Sequence, residues 1–317
     1  VVDQILTPDL LASAIRMATP LALAAIGGTI CERAGVVNIA LEGMMLVGAF
    51  AGVAVALVTG NTWVGVMAAV AAGMFFAGLH AFASITLRAD QVVSGTAINI
   101  LALGLTGFLM EVVYGHPGTT DAAATLAPLF QTQGQTQGFF GGIWRWVSGI
   151  FLSHTPLVYI TVAIAVAAQW AMFRTTWGLR LRALGEHPRA ADTVGVSVTR
   201  GRYVAVLMSG ALAGLAGANL SLEQVGSFTE GMTSGRGFIA LAANIFGRWT
   251  PVGSYLASLL FGFADALQIK MQILRDVVNI PPQLFWMLPY ILTVVVLAGV
   301  MGRARAPAAI GKPYEKE

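Results

Sequence analysis

Apolar residues in this chain come in long runs, most of them about the length needed to cross a bilayer, with short polar breaks between them. Residues 10–30 form the first run, interrupted near its end by Gly27-Gly28 and closed by Glu32 and Arg33. A shorter interrupted segment, residues 35–45, leads into a further run to Val58. Residues 63–87 and 92–113 follow, parted only by Arg88, Ala89 and Asp90. Residues 156–173 and 203–222 flank a long polar stretch, and the second of them carries Gly210, Ala213, Gly214, Gly217 and Ala218 as a close-packing face. The apolar part of residues 235–249 is too short for a span and predicts a broken or re-entrant helix. Such backbone survives at membrane depth only inside protein or along a cavity. Residues 252–269 and 285–300 complete the pattern, with Pro281, Pro282 and Pro289 marking the entry of the last. The prediction is an all-α polytopic membrane bundle, a single domain over residues 1–317. Segments 35–45 and 235–249 echo each other weakly, as paired broken helices beside a translocation site do. Counted as short crossings they give about ten spans, with both termini on the inner side; counted as loops they give fewer.

Composition changes the domain picture first. A chain of 317 residues has room for about two soluble domains. Yet 56% of the residues are hydrophobic and only 10% charged, with mean hydropathy +0.75, whereas soluble domains carry about 25% charge. The formal charge of +3 sits mainly in residues 174–202 and the C-terminal tail, so it reports topology and not nucleic-acid binding. Cys31 is alone, which permits no intramolecular disulfide, and no metal-ligand set surrounds it in sequence. Val1 to Asp9 lacks the basic start of a cleavable signal peptide, so the first apolar run is expected to be the insertion signal.

Charge then orients the bundle. In residues 174–202, Arg174, Arg180, Arg182, Arg189, Arg200 and Arg202 face only Glu186 and Asp192, which places this segment on the cytoplasmic side. Within it, Glu186-His187-Pro188-Arg189-Ala190-Ala191-Asp192 reads as the start of a short helix, with Pro188 at the first helical position and an acid just before it. Such a helix is either a docking element or part of a solvated loop. Residues 114–155 carry almost no positive charge and are expected outside, with Trp144 and Trp146 suited to the water–lipid boundary. Arg303, Arg305, Lys312 and Lys316 put the C-terminus inside.

A few polar residues lie within the apolar runs. Asn38 and Glu42 share one face if that stretch is helical, and a carboxylate there needs a partner or a water-filled cavity. Glu42 therefore bonds a neighbouring helix end or contacts a solute. Asn99 likewise bonds another helix or lines a pore. No Gly-x-x-x-x-Gly-Lys-Ser/Thr loop, His-Glu-x-x-His or Gly-x-Ser-x-Gly elbow occurs in the sequence. A stand-alone ion-coupled transporter would have to use Glu42 or Asp265. A polytopic chain with no energy-coupling site of its own, but with a basic docking segment, points to a partner that supplies the energy.

The residues also carry a resemblance. Glu32-Arg33-Ala34-Gly35-Val36-Val37-Asn38-Ile39-Ala40-Leu41-Glu42-Gly43-Met44-Met45 resembles the first signature of inner-membrane permeases of ABC importers, in the branch that handles ribose-type sugars, branched-chain amino acids and nucleosides. Residues 182–196 are similar to the cytoplasmic coupling segment of that family, and residues 235–253 to its third block. The terminal Lys312-Pro313-Tyr314-Glu315-Lys316-Glu317 is similar to the tail of nucleoside-type members. The resemblance implies a type II importer bundle in the bacterial cytoplasmic membrane, paired with a second homologous permease and embedded in lipid. It further implies two ABC ATPase subunits that hold the ATP and Mg, and an extracytoplasmic substrate-binding protein. The chain itself would be no enzyme and would bind no cofactor and no metal. Gly185, Glu186, His187, Pro188, Ala190, Ala191 and Asp192 would dock on the ATPase. Purine nucleosides would pass between the two permeases along Asn38, Glu42, Asn99 and Asn244, with Phe238 as a stacking surface. A pentose sugar such as ribose is the alternative substrate. Residues 116–146 depart from the family pattern in their length, and they bear on where the binding protein docks.

Overall fold

The computed structural model describes residues 7–130, 148–273 and 305–315, together with the isolated positions 287, 291 and 294. Trp144, Trp146, Pro281, Pro282, Pro289, the rest of the apolar run 285–300, Arg303 and Lys316 lie outside the described residues. Among the described residues all regular structure is helical, apart from a single isolated bridge between Thr119 and Thr229.

Helix α1 (Pro8–Arg33) opens on a proline at its first turn, where the missing N–H costs nothing. Helix α2 (Leu41–Thr59) ends on Gly60 in the left-handed conformation. Helix α3 (Thr62–Ala81) is capped by the Asn61 side chain and runs on into a π turn, Phe82–Thr86. Helix α4 (Gln91–Tyr114) is capped by Asp90, whose carboxylate accepts from the backbone N–H groups of Val92 and Val93. Then come α5 (Pro156–Arg174), α6 (Thr176–Glu186), α7 (Pro188–Thr193) and α8 (Val198–Ala218), which also continues as a π turn, Asn219–Val225. The short α9 (Arg236–Phe246) and the long α10 (Pro251–Ile273) close the series. Among the described residues seven helices are long and apolar enough to cross a membrane: α1 to α5 without exception, then α8 and α10.

Two expectations about the first quarter of the chain change. Gly27-Gly28 does not break α1, which runs unbroken for 26 residues. An added Cβ on Gly27 would lie 2.9 Å from the Ser209 carbonyl oxygen, so the glycine marks a close helix crossing. Nor do residues 35–45 cross on their own. Gly35, at φ +90°, turns the chain; residues 36–40 stay irregular; and Leu41 to Met45 become the first turn of α2. Only α9, at 11 residues, keeps the character of a short broken crossing.

The C-terminal end of α1 packs on α6, where a Cβ on Gly185 would lie 2.3 Å from the Arg33 carbonyl oxygen. The tail joins the same end, with Gly311 N–H donating to the Gly35 carbonyl at 3.2 Å. The other end of α1, about 39 Å away for a helix of this length, adjoins Gly149 and Lys270, whose Nζ donates to Thr7 Oγ1 at 3.3 Å. Thr7 and the tail thus lie at opposite ends of α1.

The interior is built on small residues. Helix α8 crosses α3 where a Cβ on Gly73 would lie 2.2 Å from the Gly210 carbonyl oxygen, and crosses α2 where one on Gly217 would lie 2.1 Å from that of Met45. The small-residue face read along α8 is therefore the crossing of α2 and α3. Helix α4, in contrast, turns Val93, Ile100, Leu103, Phe108 and Val112 outward.

Candidate functional site

The polar residues of the α1–α2 connection and of α9 meet inside the bundle. Glu42, in the first turn of α2, accepts from Gly235 N–H through Oε1 at 2.7 Å and from Gly237 N–H through Oε2 at 2.6 Å. These amides open α9, where orphan donors and the positive end of the helix dipole favour a carboxylate. No side chain fits at Gly237, whose Cβ would lie 2.4 Å from Glu42 N. Of the two roles open to Glu42, the geometry displays the bond to a neighbouring helix end.

Ten residues earlier, Glu32 holds the other end of α9. Its Oε2 accepts from Asn244 Nδ2 at 2.8 Å and from Trp249 Nε1 at 2.5 Å. Asn244 Oδ1 in turn accepts from Thr29 Oγ1 at 2.7 Å, and Thr29 shares a 2.8 Å hydrogen bond with Ser254 at the start of α10. Arg33 adds Nε to the Trp249 carbonyl at 2.8 Å and Nη2 to the Arg248 carbonyl at 3.3 Å. Helix α9 is thus bracketed at both ends by one short stretch of chain.

The five residues proposed from sequence for a solute pathway separate into two groups. Glu42, Asn99 and Phe238 lie around the start of α2: Asn99 Oδ1 accepts from Gly43 N–H at 2.8 Å, its Nδ2 donates to the Ile39 carbonyl at 3.0 Å, and Phe238 is half exposed next to Gly237. Asn38 and Asn244 are fully enclosed. Asn38 precedes the helix, so it shares no helical face with Glu42; its Nδ2 donates to Ser209 Oγ at 2.9 Å. Glu32, Trp249, Thr29 and Ser254 were missed. The signal for Glu32 was available, since a carboxylate bordering an apolar run needs a partner as much as Glu42 does.

The basic segment forms a second constellation. Thr175 caps α6, and the Arg182 guanidinium lies 4.8 Å from the centre of the Phe173 ring, fixing α6 against α5. Pro188 starts α7 directly after His187, and Ala191 is buried with Leu184 and Val198, on which Tyr314 of the tail packs. Asp192 lies in the last turn of that helix, its carbonyl accepting from Gly195 N–H at 2.9 Å. Glu186 Oε2 accepts from Ala308 N–H at 3.2 Å, and the Gly185 carbonyl accepts from Ala309 N–H at 2.8 Å. Between α7 and the tail runs a groove of about 750 Å³ bordered by Pro188, Arg189, Ala190, Lys312 and Tyr314. The expected short helix exists as α7, and together with α6 it forms a hook across which the tail is strapped.

Arg202 anchors that strap. It is almost fully buried, donating from Nε to the Ala34 carbonyl at 3.2 Å and from Nη1 to the Lys312 carbonyl at 3.0 Å. Arg202→Leu removes both bonds and leaves two carbonyls to find water. The expected result is a tail cut by trypsin in detergent within minutes, while the wild-type tail resists; equal cleavage of both proteins would show that the strap is not held by Arg202.

Comparison with known proteins places these features in a family. Residues 10–297 match the family described as the branched-chain amino acid transport system / permease component. The chain is 43% identical to the guanosine ABC transporter permease protein NupQ of Bacillus subtilis over 306 residues, covering 94% of each chain. It is 37% identical to the nucleoside ABC transporter permease protein NupC of Lactococcus lactis, covering 97% of this chain and 96% of that one. It is 35% identical to a putative glucose ABC transporter permease protein, TsgC13 of Haloferax volcanii, over 97% of this chain and 98% of the relative. No solved structure matches the chain.

Proposed function

We propose a function from the premise that this chain belongs to the permease-component family of the branched-chain amino acid transport system: it is the membrane-spanning permease of an ABC importer for nucleosides, purine nucleosides first among them. The observation that carries the substrate is the near full-length similarity to permeases named for guanosine and for nucleosides. The chain is a transport subunit, and the ATP and Mg belong to separate ABC ATPases that close beneath the hook. A second homologous permease covers the outward apolar face of α4 and the half-exposed Phe238, so the solute passes between the two chains. Glu42, Asn99 and Phe238 border that passage; Asn38 and Asn244 brace the elements behind it. An extracytoplasmic binding protein delivers the solute at the end where Thr7 lies, and residues 114–155 belong to that side.

Basic residues support this orientation in the bacterial cytoplasmic membrane. Arg33, Arg88, Arg248, Arg305 and Lys312 gather at the same end as residues 174–202, and Arg88 reaches Glu315 of the tail at 2.7 Å. The tail is then cytoplasmic. With α9 as a broken crossing, the seven long helices of the described residues become eight; the run at residues 285–300, expected from sequence as the last crossing, lies almost wholly outside the described residues.

Uptake by the complete transporter in proteoliposomes tests the substrate. Labelled guanosine is expected to enter only with ATP on the ATPase side, inosine to compete, and ribose and leucine to leave uptake unchanged. The similarity to a putative glucose permease favours one second reading, a simple-sugar importer. Competition by glucose or ribose, with none by inosine, would select that reading. Uptake that survives ATP depletion and collapses with an uncoupler would instead select an ion-coupled carrier.

A further inference from the structure

Residues 32–42 touch both the hook and α9, and one side chain bridges the two directly. Arg33 Nη1 lies 4.0 Å from Glu186 Oε1 on the hook, while Nε and Nη2 of the same guanidinium hold the carbonyls of Trp249 and Arg248. Those two residues are unusual. Arg248 has φ +55° and Trp249 φ +52°, consecutive left-handed positions occupied by side chains that rarely adopt them. Such backbone persists only where its surroundings over-determine it. Here the surroundings are Arg33 on the carbonyls and Glu32 on the Trp249 indole. At the far end of α9, the two amides gripped by Glu42 form a fixed point.

We propose that Arg33 is a latch on the Arg248–Trp249 turn, and that its release by the moving hook lets the turn relax and α9 pivot about Glu42, displacing Phe238. The inference rests on the reading that an ATPase moves the hook. A push on α6 displaces Gly185 against the Arg33 backbone and Glu186 beside its guanidinium, so the latch is where hook motion arrives first. Strain held in the turn then drives α9 in one direction, which a comfortable turn would not do. Arg33, Glu32 and Glu42 are positioning residues on this view, acting on the passage through α9.

Arg248→Gly separates the latch from a merely structural turn. Glycine adopts the left-handed conformation freely, so the variant is expected to fold at least as stably as wild type by thermal unfolding in detergent. A structural role would leave uptake intact or raised. The latch requires uptake per folded transporter to fall by about fivefold or more, the scale set by losing one strained residue, while ATP hydrolysis stimulated by the binding protein continues. Arg33→Lys, which keeps the charge and loses the two-pronged contact, is expected to lower the ratio of solute moved to ATP spent in the same way. Both are measured in the complete complex of permeases, ATPases and binding protein. Wild-type coupling ratios in Arg248→Gly overturn the latch alone; no ATP-driven uptake by the wild-type complex overturns the importer reading and the latch with it. Should Arg248→Gly fail to fold, Arg33→Lys decides, and a wild-type ratio there also overturns the proposal.

Discussion

Gly185→Leu is expected to abolish coupled transport while leaving the protein in the membrane at wild-type abundance. A Cβ at this position would already lie 2.3 Å from the Arg33 carbonyl oxygen and 2.9 Å from its carbon, both backbone atoms that cannot swing aside. Helix α6 must lift away, taking with it the bond from Ala309 N–H to the Gly185 carbonyl and the contact of Glu186 with the tail. Overpacking of this kind costs about 1–3 kcal/mol, enough to displace a short surface helix but small beside the packing of the long spans. Uptake and binding-protein-stimulated ATP hydrolysis should both fall by about tenfold or more, the rate equivalent of the lower part of that range. Undiminished uptake would mean that the seat of the hook on α1 is irrelevant to coupling.

Gly73→Leu is expected to do the opposite kind of damage, removing folded protein altogether. Its Cβ would lie 2.2 Å from the Gly210 carbonyl oxygen and 2.8 Å from Gly214 Cα, and the reciprocal contacts of Gly210 and Gly214 with α3 are equally close. Helices α3 and α8 would have to separate by about an ångström or more, forfeiting much of the dispersion between them along the whole crossing. Membrane helices associate through such close packing, and a loss of about 3 kcal/mol or more is the expected scale. Gel filtration of the detergent-solubilised protein measures it: Gly73→Leu should give aggregate and little monodisperse peak. Gly104→Ala, where a Cβ meets nothing within 4 Å, should elute like wild type. A monodisperse Gly73→Leu protein of unchanged thermal stability would contradict the crossing.

The sequence showed the spans because run length is a direct consequence of bilayer thickness, and α2 to α5, α8 and α10 appear near where the runs lie. It also showed the short helix at residues 188–193, because a proline at the first helical position carries a local signal for a helix start. Other features depended on tertiary contacts. Gly27-Gly28 reads as a break by propensity, yet the approach of Ser209 turns the same pair into a crossing point. Residues 35–45 looked like a second short crossing because their pattern is apolar and interrupted, whereas Gly35 spends them on a turn and on the start of α2. The spacing of Asn38 and Glu42 fitted one helix face, but the helix begins only at Leu41. No local pattern tells that Glu42 reaches an amide more than 190 residues away, or that Arg202 pins the tail. Both contacts join residues more than 100 positions apart and appear only once the chain is packed.

One assay bears most directly on the chain as a passive gate moved from the hook by a separate ATPase: accumulation of labelled guanosine inside proteoliposomes. One sample holds this chain alone; the other holds both permeases, the ATPases and the binding protein, with ATP on the hook side. Concentrative uptake only in the complete complex, and only with hydrolysable ATP, is the expected result. Accumulation against a gradient by the chain alone would contradict it.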